Sequence, residues 1–140
     1  MKPHLTRYRA LLTLASIGEM KARLGDRAGA IADSSRAIAM LNEIPADPQN
    51  SAVSGARGQV YMSLATTHAG LAESKRADLT QRREHWRAAR DMYVRSQAIW
   101  QDLQNRGILT ADSAEKPQEV ARGIARCDEA LRQLSFATAG

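Results

Sequence analysis

The sequence predicts an all-α domain, and three observations predict it. Apolar residues recur at steps of three and four along most of the chain, which is the period of a helix with one buried face. No stretch alternates apolar and polar residues as a half-buried strand does. The composition is rich in Ala, Arg, Leu and Gln and poor in Val, Ile and Phe, which favours helix over sheet. At 140 residues the chain fits one domain with a sizeable core.

The segment Thr80 to Gly107 carries the clearest pattern. Trp86, Ala89, Tyr93, Ser96, Trp100 and Leu103 fall on one arc of a helix, with Met92 and Ile99 beside them. Both tryptophans of the protein lie on that arc, so this helix should supply the centre of the core. Removing either indole should cost roughly 3–5 kcal/mol.

Before it, a first helix is expected from about His4 to Leu24, with Leu11, Leu14, Ile17, Gly18 and Leu24 on one face. Gly25 stops it in a left-handed turn and Asp26 caps the next helix, about Asp26 to Asn42. That second helix carries Ala30, Ile31, Ser34, Ala37, Ile38 and Leu41 at helical spacing. So short a turn forces the two helices into an antiparallel hairpin over residues 4–43. Pro45 and Pro48 break the pattern, and Asp47-Pro48 reads as N-cap followed by first helical residue. A third helix then runs to about Ser74 with Val53, Val60, Leu64, Thr67 and Leu71 inward. Together with the tryptophan helix it forms a second hairpin over residues 48–107. After a loop from Ile108 to Lys116, Pro117 opens a fifth helix over residues 117–136. Val120, Ile124, Cys127, Leu131 and Leu134 make its apolar stripe, and Ala137 to Gly140 should fray.

The first hairpin resembles a tetratricopeptide repeat, the helix–turn–helix unit of about 34 residues. Leu14, Ile17, Gly18 and Lys21 stand for the first-helix pattern, Gly25 for the turn, and Ala30, Ser34 and Ala37 for the second. Lys21 and Ser34 depart from the family's aromatic positions. Tyr61, Leu64, Ala65 and His68, then Ala89, Tyr93 and Ser96, repeat the pattern in a stretched form: Gly18 to Ala30 is 12 positions, Ala65 to Ala89 is 24. The resemblance implies an α-α superhelix of two antiparallel hairpins, the second elongated around Glu73 to Glu84 and projecting beyond the first, with the fifth helix closing the stack. The second half, with YVRSQAIWQDLQNRG and EVARGIARCDEAL, is also similar to the C-terminal tetratricopeptide region of large bacterial serine/threonine kinases. That implies a bacterial source and a regulatory or docking role in a larger signalling protein.

Signs of catalysis are missing from the sequence. It has no Gly-rich phosphate loop, no His-Arg-Asp loop, no Asp-Phe-Gly and no Gly-x-Ser-x-Gly. His4, His68 and His85 lack the spacing of a helical metal site, so no metal and no cofactor are expected. His68 reads as a packing histidine and Cys127 as a small buried hydrophobe. A single cysteine permits no internal disulfide. No run reaches the length of a membrane span, the N-terminus lacks the pattern of a signal peptide, and a cytoplasmic protein is expected.

The expected function is that of a non-enzymatic scaffold for a peptide or protein. By analogy with the repeat family, the first helix of each pair lines the groove, which nominates Glu19, Arg23, Gln59, Met62 and Thr66. Arg83, Arg87 and Arg90, with Arg76 upstream, form a stripe that could meet an anion; the bland reading is that their stems cover the core edge and their heads stay in water. The net charge of +5 raises the question of nucleic acid, but the neighbouring aromatics Trp86 and Tyr93 point inward, so such a site is not expected. A self-association or sensory domain without a ligand, and a basic nucleic-acid-binding domain, are the alternatives. Leu5, Tyr8, Leu12, Ala15 and Ala22 form a second apolar stripe on the first helix. Such a stripe predicts a cover: a second copy, residues of a longer parent protein, or the fifth helix folded back.

Overall fold

The computed structural model describes the backbone of residues 3–139 and the side-chain surroundings of residues 5–136. Five α-helices make up almost all of it: α1 Pro3–Arg23, α2 Arg27–Glu43, α3 Ser51–Glu73, α4 Leu79–Asn105 and α5 Lys116–Ala139, with a single 3-10 turn at Ala111–Ser113. No strand occurs among the described residues. The end expected to fray, Ala137 to Gly140, lies outside the residues whose surroundings are described.

Local signals set the boundaries. Gly25, at φ 85°, makes the left-handed turn that ends α1, and the Asp26 carboxylate accepts the Gly29 N–H at 3.0 Å to open α2. The third helix starts later than the prolines suggest. Asn50 is its N-cap, with Oδ1 accepting from the N–H groups of Ala52 and Val53, so Asp47-Pro48 belongs to the connection. α4 opens on a capping box: Asp78 accepts the Gln81 N–H at 2.8 Å, and the Gln81 side chain accepts the Asp78 N–H at 3.0 Å. Much of the extra length of the second pair sits in α4, which has 27 residues against 17 in α2.

Each helix packs on its sequence neighbour, save that α2 touches α3 only lightly, and α1 also packs broadly on α3. Contacts fix the directions. Tyr8 meets Arg57, Glu19 meets Ser63 and Ala22 lies beside Gly70, so α1 and α3 run parallel. Gly58 lies against Trp100 and His68 against His85, so α4 returns antiparallel to α3. Tyr93 against Gly123 and Trp86 beneath Arg126 make α5 antiparallel to α4.

The tryptophan arc is the core centre. Trp86, Ala89, Met92, Tyr93, Ser96, Trp100 and Leu103 are all buried, as are Val53, Val60, Leu64, Thr67 and Leu71 of α3. On α5, Val120 and Cys127 are buried while Ile124, Leu131 and Leu134 pack half-buried against the same cluster.

α1 departs from its expected face. Ile17 and Leu24 are exposed, as is Ile31 on α2, whereas Tyr8, Leu11 and Ala15 are fully buried. Of the stripe Leu5, Tyr8, Leu12, Ala15 and Ala22, Tyr8 and Ala15 are buried within the same chain, beside α3, and Ala22 is half-buried. The Tyr8 hydroxyl accepts a hydrogen bond from Arg57 at 2.7 Å, and Leu5 and Leu12 are half-buried. α1 lies beside α3, and each buries a face against the other. Periodicity located both stripes of α1 correctly and could not tell which one α3 would take.

Candidate functional site

An open groove of about 510 Å3 lies between α1, α3 and α5, with the α3–α4 turn at one end. α1 contributes Glu19, Ala22 and Arg23 to it, α3 contributes Thr66, Ala69, Gly70 and Glu73, the turn Lys75, and α5 Arg126. The spacing explains the convergence. Glu19, Ala22 and Arg23 share one side of α1, and Thr66, Gly70 and Glu73 recur at steps of four and three on α3. Small residues, Ala22, Ala69 and Gly70, form the floor.

The groove's rims carry paired charges. The Glu19 carboxylate accepts from Ser63 Oγ at 3.0 Å and from the Arg23 guanidinium at 2.5 Å. Arg126 of α5 pairs with Glu73 of α3 and lies over the Trp86 ring, 5.5 Å from its centroid. Beneath, the Thr66 and Tyr93 hydroxyls are 3.5 Å apart, and burial pushes the Tyr93 phenol above its ordinary pKa. α5 can cross there because residue 123 is glycine: a Cβ would stand 2.6 Å from the Tyr93 ring.

Of the five groove residues expected from sequence, Glu19, Arg23 and Thr66 meet in this cavity. Gln59 and Met62 precede Thr66 on the same side of α3, are half-buried, and do not line it. Glu73 and Arg126 were not foreseen; they belong to helices far apart in sequence, and only the closing position of α5 joins them.

The arginine stripe divides. Arg90 donates to Asp128 of α5 at 2.5 Å, so it serves as a strut between α4 and α5 rather than as a free cation. Arg83 is half-buried and Arg87 exposed, and neither has an ion-pair partner among the described residues. Asp91, adjacent in sequence to Arg90, pairs instead with Arg95 at 3.1 Å.

On another face, His68 of α3 and His85 of α4 meet with Nδ1 atoms 3.1 Å apart and ring centroids at 5.3 Å. In the neutral pair one ring donates its N–H to the other's lone pair. Burial, then the neighbouring imidazole, brings the His68 pKa down to about 4. Burial and the Arg27 guanidinium lower that of His85 against the pull of Glu84. The expectation that His68 packs with a satisfied ring holds; its partner was not foreseen. Cys127 is buried, and burial pushes its thiol up to about 11, so it keeps its proton at neutral pH. Among the described residues no three His, Cys, Asp or Glu side chains gather as metal ligands, and no helix is long and apolar enough to cross a membrane.

No family model matches this chain, and neither does any curated protein or any solved structure.

Proposed function

We propose that the chain is a non-enzymatic helical-repeat scaffold of the tetratricopeptide kind, binding a peptide or protein segment in the groove between α1, α3 and α5. The observation that carries this reading is the groove itself: a large open channel with a floor of small residues and rims of opposed, paired charges. Ala22, Ala69 and Gly70 leave room for a chain to approach the helices closely. Glu19 and Glu73 can accept from its donors, and Arg23, Lys75 and Arg126 can donate to its carbonyls and carboxylates. The parallel course of α1 and α3, each with its antiparallel partner, supports the repeat reading. The similarity to the C-terminal region of bacterial kinases extends it to a regulatory docking segment of a cytoplasmic signalling protein.

Peptides selected from a random display library against the folded chain provide the probe. Gly70→Trp fills the groove from its floor, and Thr66→Arg adds bulk and charge beside Tyr93. Both should weaken the selected peptides at least tenfold while leaving the circular dichroism unchanged, and Arg87→Gln should have no effect. Peptides that bind the groove-filled variants undiminished would show that recognition lies elsewhere.

A further inference from the structure

The two parallel helices can be compared position by position. Leu14, Ile17, Gly18 and Lys21 of α1 correspond to Tyr61, Leu64, Ala65 and His68 of α3, 47 positions later in each case. The same shift carries Ile17, Met20 and Leu24 onto Leu64, Thr67 and Leu71. On α3 these are buried, with 0–1% of their surface exposed, and α1 packs broadly on that helix. Arg27 of α2 even donates to the Leu71 carbonyl at 2.9 Å. On α1 the equivalent side chains are bare: Ile17 is 42% exposed, Met20 59% and Leu24 78%. They lie at steps of three and four, one continuous apolar stripe.

The two outer helices of the stack are unlike. α5 turns Gln118, Arg122, Ala125, Glu129 and Arg132 to solvent, the polar outer face that ends a helical stack. α1 turns an apolar face of the kind that receives a hairpin.

We propose that the Ile17–Met20–Leu24 face of α1 is a docking surface for a further helical hairpin, stacked on α1 as the α1–α2 hairpin is stacked on α3. The interface between α1–α2 and α3 states the occupant's chemistry: a helix running parallel to α1 and presenting small residues and an aromatic, as Ala15, Ala22 and Tyr8 do to α3, with a second helix behind it. A second copy of this chain lacks that face in free form. Its α1 has already packed those residues against its own α3, and the outward side of its α5 is polar apart from Phe136.

The shift of 47 positions supplies the test. An additional copy of residues 1–47 fused directly ahead of Met1 of the full chain places the added hairpin in register with the existing one. With Met20→Cys in the original copy only, the labelling rate of that thiol reports cover over the face; Cys127 is buried and serves as the internal slow reference. The single chain should be monomeric by sedimentation and label rapidly at position 20. The fusion should label at least tenfold more slowly and melt at a higher temperature, and Leu24→Glu in the original copy should restore rapid labelling. Unchanged labelling in the fusion overturns the proposal. So does a single chain that sediments as a dimer with position 20 protected, since a second copy would then be the occupant.

Discussion

Gly58 lies beneath the indole of Trp100, so close that a Cβ on residue 58 would stand 2.9 Å from two ring atoms. The contact joins α3 to α4 at the widest side chain of the core, and Trp100 is itself buried, so the ring cannot swing away. Gly58→Ala should therefore destabilise the fold by about 1–3 kcal/mol, against the helix propensity of alanine, which alone favours the change. Urea denaturation of the two proteins checks this. A stability gain would mean that α3 and α4 can separate without loss.

Ser96 completes the same joint. Its hydroxyl donates to the Gly58 carbonyl at 2.8 Å and accepts the Trp100 indole N–H at 2.8 Å. Ser96→Ala leaves the buried indole N–H without its partner and should cost about 1–3 kcal/mol, read as a lower denaturation midpoint with an unchanged slope. Ser96→Thr keeps the hydroxyl and separates the hydrogen bonds from the packing at that position.

Gly70 gives the opposite sign. It sits on the exposed groove side of α3, and an added Cβ would meet only Ala22, at an ordinary 3.8 Å. Gly70→Ala should stabilise the protein by about 0.5–1 kcal/mol by removing backbone freedom from the unfolded chain. Calorimetry should show a melting temperature raised by a few degrees.

These residues show what was legible in the sequence. The tryptophan helix was readable because Trp86, Tyr93 and Trp100 are too large to leave in water at helical spacing, and they are buried as a set. The two stripes of α1 were readable as stripes, but burial of Tyr8 and exposure of Leu24 depend on where α3 runs, and no local signal encodes that. The prolines dominate the pattern and point to a start of α3 at Pro48, whereas it is Asn50 that accepts from the first free N–H groups, those of Ala52 and Val53. In the groove, Glu19, Arg23 and Thr66 came from an analogy about which helix faces inward. Glu73–Arg126 and Arg90–Asp128 join helices 53 and 38 positions apart, and pairings of that range follow only from the assembled stack.

The last prediction concerns pH, through the His68–His85 contact. The groups facing the pair are Arg27 from α2 and Glu84 from α4, with the two imidazoles themselves from α3 and α4. Both rings have folded pKa values below the ordinary value of 6.5, that of His68 at about 4. Between those two values the unfolded chain binds more protons than the folded one, so stability rises with pH across the window. The contribution is complete above about pH 6.5. It falls as the pH drops from there and is gone below about pH 4, where His68 is protonated in both states. For His68 alone the loss between neutral pH and pH 5 should be roughly 2 kcal/mol. Chemical denaturation at half-unit steps from pH 7.5 to 4.5 should show this slope, and it should flatten in His68→Gln, which keeps a hydrogen-bonding side chain without a titrating ring. Two-dimensional NMR of the imidazole resonances supplies the direct check: a His68 that titrates near 6.5 in the folded protein would remove the basis of the argument.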